Sequence, residues 1–265
     1  MYKIIDAHCH VYPDKIAEKA AVSTGNFYAF DRTEDGRIST LVKEGSEAGI
    51  SHYVIQSVAT TPSQVGSINQ FIARTVKQSS GLMTGLGTLH PDTEDVEKEV
   101  ENIIELGLKG VKLHPDIQRF ELDCKKSMHI FEVCEGRLPV LLHTGDNRYD
   151  YSNPNRLIPV LETFPKLQVI GAHFGGWSIW EEATEKLHKY ENLLVDCSSS
   201  LYAISPETAT KLVRIYGADR VLFGSDYPVF PPVEEVKRFM KLDLTEAERQ
   251  KIFWDNSSNL FGIEG

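Results

Sequence analysis

Residues 139–176 read PVLLHTGDNRYDYSNPNRLIPVLETFPKLQVIGAHFGG and hold one full structural period of the chain. The stretch opens on an apolar run, Pro139–His143, and closes on another, Val169–His173. Between them Leu157, Val160, Leu161 and Phe164 recur at i, i+3, i+4 and i+7, the spacing of one helix face. A strand buried on both faces reads as an unbroken apolar run, and two such strands joined by a helix are parallel. Each run ends on a histidine, His143 and His173, followed closely by glycine.

The same period extends in both directions. Further runs are Lys3–His8, His52–Ser57, Met83–Leu89 and Gly110–His114 upstream, and Leu193–Cys197 and Arg220–Gly224 downstream. From the second run onward they recur about every 25–31 residues, the length of one βα unit with its loops. Helical patterns fill the gaps. Val96, Val100, Ile103 and Ile104 follow a start at Asp92/Thr93, and Ser205-Pro206 reads as an N-cap and first helical residue ahead of Ala209, Leu212, Val213 and Tyr216. Thr245–Glu248 has the form of a capping box. Eight alternations in 265 residues predict an α/β fold, a single (β/α)8 TIM barrel over residues 1–265, for which ~250 residues are typical. A doubly wound open sheet would have fewer strands and often a glycine-rich first turn, and the first turn here is HCHVYP. The irregular connection Val11–Ser39 carries Phe27, Tyr28, Phe30, Arg32 and Arg37 and is expected to form a lid over the barrel mouth.

Composition narrows the function. With 41% hydrophobic and 25% charged residues the chain is an ordinary globular protein. A net charge of −10 without a Lys/Arg cluster argues against nucleic acid as a partner and leaves a small-molecule substrate. No apolar run approaches membrane-spanning length. Four cysteines without a CxxC pair, and no secretory signal, lead to the expectation of reduced thiols and a cytoplasmic location. The oligomeric state is left open, a homo-oligomer included.

Chemistry gathers at the C-terminal ends of the runs, where this fold carries its active sites. Strand alternation puts His8 and His10 on one side and Cys9 on the other, so two imidazoles can share a divalent metal. Lys112 lies in a buried apolar run, where an ammonium is costly unless paired, neutralised or modified, and His114 shares its parity. His143, His173 and Asp226 end later runs. Any one of these residues alone has a bland reading as a satisfied core or rim side chain. Five strand ends supplying His, His, Lys, His, His and Asp together point to a metal site.

The ordered set HxH, Lys, His, His, Asp, running from IIDAHCH to IFWDNSSNLFG, resembles the amidohydrolase superfamily. The nearest branch contains aminocarboxymuconate-semialdehyde decarboxylase and many metal-dependent hydrolases. The resemblance implies that His8, His10, His143 and Asp226 ligate a divalent metal. His173 would then act on substrate or join Lys112 around a second ion. Lys112 stands where binuclear members carry a carbamylated lysine, although many decarboxylase-like relatives lack a lysine there. With the metal-binding histidines expected at positions 8 and 10, the upstream β-sandwich of some members is not expected here.

Zn²⁺ suits nitrogen and carboxylate ligands best, with Mn²⁺, Fe²⁺ or Ni²⁺ as alternatives. The preferred expectation is hydrolysis of a small amide, lactone or ester, with Asp226 moving the proton and His173 steadying the oxyanion. The alternative is non-oxidative decarboxylation of an aromatic or unsaturated acid, with His173 transferring the proton and Arg32 or Arg37 pairing with a carboxylate. A third reading, a metal- or ligand-binding module without turnover, fits the intact acid, base and ligand set least well. Phe27, Tyr28, Trp177 and His114 are the remaining expected substrate contacts, and the loop Asp146–Tyr151 is expected to shape the pocket.

Overall fold

The computed structural model describes residues 2–30 and 33–264, so Arg32 lies outside the described residues. Among the described residues nine strands follow the expected runs: β1 (Ile4–His10), β2 (Ile50–Gln56), β3 (Met83–Gly85), β4 (Gly87–Thr88), β5 (Val111–Leu113), β6 (Val140–Leu142), β7 (Val169–Gly171), β8 (Leu193–Asp196) and β9 (Val221–Leu222). Each run holds one strand except the third, which breaks at Leu86 into β3 and β4. Helices lie in every interval between runs.

The chain forms two compact units, one of residues 1–56, 81–84 and 197–265, the other of residues 57–80 and 85–196. In the first unit β1 and β2 pair in parallel, with Ile4 opposite Ile50 and His10 opposite Gln56. The register slips between Asp6 and Cys9, where β1 has an extra residue. The His10 N–H donates to the Tyr227 carbonyl at 2.6 Å, which keeps β1 regular two residues beyond its expected end. Phe223, Phe239 and Phe253 pack as a ring cluster with centroids 4.6–5.7 Å apart.

In the second unit β4 to β8 pair in parallel and in sequence order. Val111, Val140 and Val169 are wholly buried at successive register positions, as expected of strands covered on both faces. Gly87 admits the helix Val96–Glu105 closely, because a Cβ there would lie 2.8 Å from Ile103.

The helix caps follow the sequence in two cases of three. Ser205 Oγ accepts the Thr208 N–H at 3.2 Å, and Thr245 and Glu248 make the reciprocal capping box. The helix expected to start at Asp92/Thr93 is instead capped by Asp95, whose carboxylate accepts the Lys98 N–H at 2.9 Å. His90 and Thr93 form a turn just ahead of it.

The connection read as irregular holds a twelve-residue helix, Ala17–Tyr28. Its buried positions are Ala17, Ala21 and Gly25, a stripe of small residues at four-residue spacing. No helix among the described residues is long and apolar enough to cross a membrane. Among the described residues no cysteine is in a disulfide.

Candidate metal centre and histidine cluster

In the first unit β1 delivers His8 and His10 to one point. Their Nε2 atoms lie 3.2 Å apart, and Asp226 Oδ1 is 3.3 Å from His8 Nε2 and 3.6 Å from His10 Nε2. Cys9 points elsewhere, its thiol toward the Asp6 carbonyl. The side-chain alternation read from the sequence therefore holds at the end of the strand, beyond the register slip. Ligands about 2.0–2.2 Å from a shared ion stand roughly 3–3.5 Å from one another, so this donor spacing and chemistry fit a divalent metal. All three residues are buried.

The surroundings hold these groups in place. Ser198 Oγ lies 3.2 Å from His8 Nδ1, which leaves Nε2 facing the cluster. A Cβ on Gly224 would come within 2.8 Å of the His8 Cβ, so glycine is required for this approach. Asp226 has φ of 60°, its N–H donates to the His8 carbonyl at 2.9 Å, and its Oδ2 accepts from Ser199 Oγ at 2.5 Å. Behind them Asp6 Oδ1 accepts the Ser225 and His8 N–H groups at 2.9 and 3.3 Å. Burial pushes the Asp6 carboxyl up to about 6 against the opposing pull of these bonds. Burial, and also the charge of Asp226, raise the Tyr12 phenol.

The second unit assembles a histidine cluster at the ends of β5, β6 and β7. His143 Nδ1 is 3.1 Å from His173 Nε2, and the His114 ring stacks on His143 at 4.0 Å and 6°. Asp116 Oδ2 lies 3.5 Å from His143 Nε2 and accepts from Ser152 Oγ at 2.6 Å. Burial pushes the Asp116 carboxyl up to about 7. His173 has φ of 60°, and its N–H is held by Asp196 Oδ1 at 3.1 Å. Asp116, His143 and Asp146 also stand close enough to share an ion, but Arg148 already grips Asp146 in a two-pronged pair at 2.7 and 2.9 Å. Lys112 is wholly buried on β5 between Val111 and Leu113.

The remaining expected contacts sit as follows. Phe27 meets Tyr28 edge-on at 4.9 Å, and Phe30 packs on Tyr202 and Phe230 at 5.7 and 5.4 Å. Arg37 is engaged by Asp35 at 2.9 Å. Trp177 lies 5.5 Å from the Arg148 guanidinium, in the loop expected to shape the pocket. Sequence reading missed Asp116, Ser198, Ser199 and Gln56. Gln56 ends β2, one residue before the expected run closes on Ser57, so the strand-end rule that picked out the histidines passes beside it.

A family profile described as amidohydrolase matches residues 5–263, and the chain belongs to that family. It is similar to the 2-amino-3-carboxymuconate-6-semialdehyde decarboxylase of Dictyostelium discoideum, 24% identical over 244 residues. That match covers 74% of this chain and 66% of the relative, so the chain spans slightly under two thirds of the relative's length. An uncharacterised TIM-barrel protein from Bordetella bronchiseptica superposes with a TM-score of 0.81, at 22% identity over 98% of both chains. A dihydroxybenzoic acid decarboxylase from Polaromonas sp. JS666, solved with manganese and the inhibitor 2-nitroresorcinol, gives 0.75 at 17% identity over 99% of this chain and 97% of that one. The fold is therefore the TIM-barrel type of the amidohydrolases, as the alternating pattern predicts, and the protein is an enzyme of that superfamily.

Proposed function

We propose that this protein is a metal-dependent, non-oxidative decarboxylase of an aromatic or unsaturated carboxylic acid. The observation that carries the reading is the buried donor set His8, His10 and Asp226, in a chain similar to several proteins named as decarboxylases. Hydrolysis, preferred from sequence alone, uses the same ligand types and now has less support.

Decarboxylation of R–COO⁻ to R–H and carbon dioxide leaves the bonding electron pair on carbon and consumes one proton. No electron acceptor is needed. A divalent ion held by His8, His10 and Asp226 would supply positive charge to anchor the acid and draw off negative charge. The family pattern assigns His143 as a further ligand. Manganese is favoured over the expected zinc, because the Polaromonas structure holds it. His173 delivers the proton to the vacated carbon as general acid. Its contact with His143, which Asp116 approaches from the other ring nitrogen, fixes the imidazole. Ser199 holds the Asp226 carboxylate still. The segment 11–39 is proposed to bear on substrate choice through Phe27, Tyr28 and Arg37.

The test is a panel. Manganese-loaded protein is offered aromatic and unsaturated acids on one side, and amides, lactones and esters on the other. Carbon dioxide release from at least one acid, lost on chelation, is the expected result. Turnover confined to amides, lactones or esters would return the protein to hydrolysis.

A further inference from the structure

Cys197 is followed by three buried serines, and each hydroxyl makes a different contact. Ser198 Oγ lies 3.2 Å from His8 Nδ1, Ser199 Oγ donates to Asp226 Oδ2 at 2.5 Å, and Ser200 Oγ donates to the Ser198 carbonyl at 2.9 Å. In an extended chain neighbouring side chains point to opposite sides. Ser199 has φ of 43°, and this left-handed turn brings Ser198 and Ser199 onto two members of one donor set. Ser200 ties the turn from within. A Cβ on Gly224 would lie 2.8 Å from the His8 Cβ and 3.2 Å from the Ser198 Cβ, so glycine there lets the two side chains meet.

Each contact decides which atom of its partner faces the ion. A neutral imidazole has one N–H and one lone pair, and only the lone pair binds a cation. His8 Nε2 is the atom beside His10 Nε2 and Asp226 Oδ1, at 3.2 and 3.3 Å. For His8 to be a ligand its proton belongs on Nδ1, where the Ser198 oxygen accepts it. Asp226 presents Oδ1 to both histidines, while its Oδ2 is engaged by the short bond from Ser199. An oxygen so engaged is a poor second ligand. A carboxylate that binds through one oxygen leaves a further position on the ion for water or substrate, as a catalytic metal requires.

We propose that Ser198 and Ser199 are a positioning pair: Ser198 makes His8 a ligand through Nε2, and Ser199 restricts Asp226 to Oδ1 and so keeps a coordination position open. This rests on the metal-dependent reading of the site and holds whichever bond of the substrate breaks.

The test uses wild type, Ser198→Ala and Ser199→Gly. The first variant keeps the Cβ and the second suits φ of 43°, so metal-free Tm should stay within a few degrees of wild type. Manganese affinity is read by electron paramagnetic resonance of the free ion, and water on the bound ion by solvent-proton relaxation. The ligating nitrogen is read by NMR of ¹⁵N-histidine protein loaded with ¹¹³Cd²⁺. In wild type the cadmium should couple to His8 Nε2, with Nδ1 protonated. Ser198→Ala should bind manganese about 10–100-fold more weakly, the usual loss when such a partner is removed. Ser199→Gly lets the carboxylate close on the ion with both oxygens, so each bound manganese should carry less water and relax solvent protons less. Coupling to His8 Nδ1, unchanged manganese affinity in Ser198→Ala, or unchanged relaxation in Ser199→Gly would each overturn the proposal and leave the decarboxylase reading standing. A metal-free Tm far below wild type in either variant would show that the serine serves the fold and would overturn it as well. Wild type that binds no manganese would overturn both.

Discussion

Asp226 and His173 both sit at φ of 60°, a left-handed position that costs a side chain with a Cβ on the order of 1 kcal/mol. Their surroundings hold them there, Asp226 through the His8 carbonyl and Ser199, His173 through Asp196. Asparagine tolerates this conformation, so Asn variants separate chemistry from folding. Asp226→Asn should keep its melting temperature within a few degrees and lose most bound manganese with nearly all turnover. Near-normal turnover in that variant would contradict the assigned role. His173→Asn should retain manganese and lose turnover by about 10²–10⁴, the usual range for a general acid. Manganese lost together with activity would make His173 a ligand instead. Lys112→Met poses the metal-count question. One ion per chain is the expectation, so manganese content should not change, whereas loss of an equivalent would show the lysine bridging two ions. The histidines and Asp226 were legible because imidazole and carboxylate are conspicuous at the ends of apolar runs. Ser198, Ser199 and Asp116 were not. Serine is as common in loops as in sites, and the place of Asp116 depends on the turn after His114, which β-periodicity does not describe.

At the scale of elements, strands were easier to read than the helix Ala17–Tyr28. β6 and β7 are apolar because both faces are covered, and that survives in the sequence as VLL and VIG. The helix buries only Ala17, Ala21 and Gly25, so the large apolar side chains on which periodicity depends are missing from its packed face. The helix Pro232–Phe239 supplies a prediction about pH. Glu235 on it is wholly buried, and burial pushes its carboxyl up to about 7 despite the pairing with Arg238. In the unfolded chain the group titrates near its ordinary value of 4.5. Between these values the folded state binds the extra proton, so its stability falls as pH rises from about 4.5 to 7 and stays lowered above. Glu235→Gln removes this dependence. Measured by denaturant unfolding, the variant should gain on wild type between pH 5 and pH 8, by about 3 kcal/mol at most. A stability difference that is flat with pH would show that Glu235 titrates normally.

For the whole molecule, fold and family were legible, while the reaction was only partly so. Eight regularly spaced runs specify a TIM barrel through spacing alone. The ordered histidines, lysine and aspartate mark the superfamily, but hydrolases and decarboxylases draw on the same ligand types, so the ligand set does not choose between them. The choice rests on which bond the bound acid breaks. The most direct measurement follows carboxyl-labelled 2,6-dihydroxybenzoate by ¹³C NMR in deuterium oxide, with manganese-loaded and chelator-stripped protein side by side. The decarboxylase account predicts labelled carbon dioxide and bicarbonate, and deuterium on the ring carbon that lost the carboxylate, in the loaded sample only. Label remaining in the carboxylate of this and related acids, while the same protein cleaves an ester, lactone or amide, would contradict it.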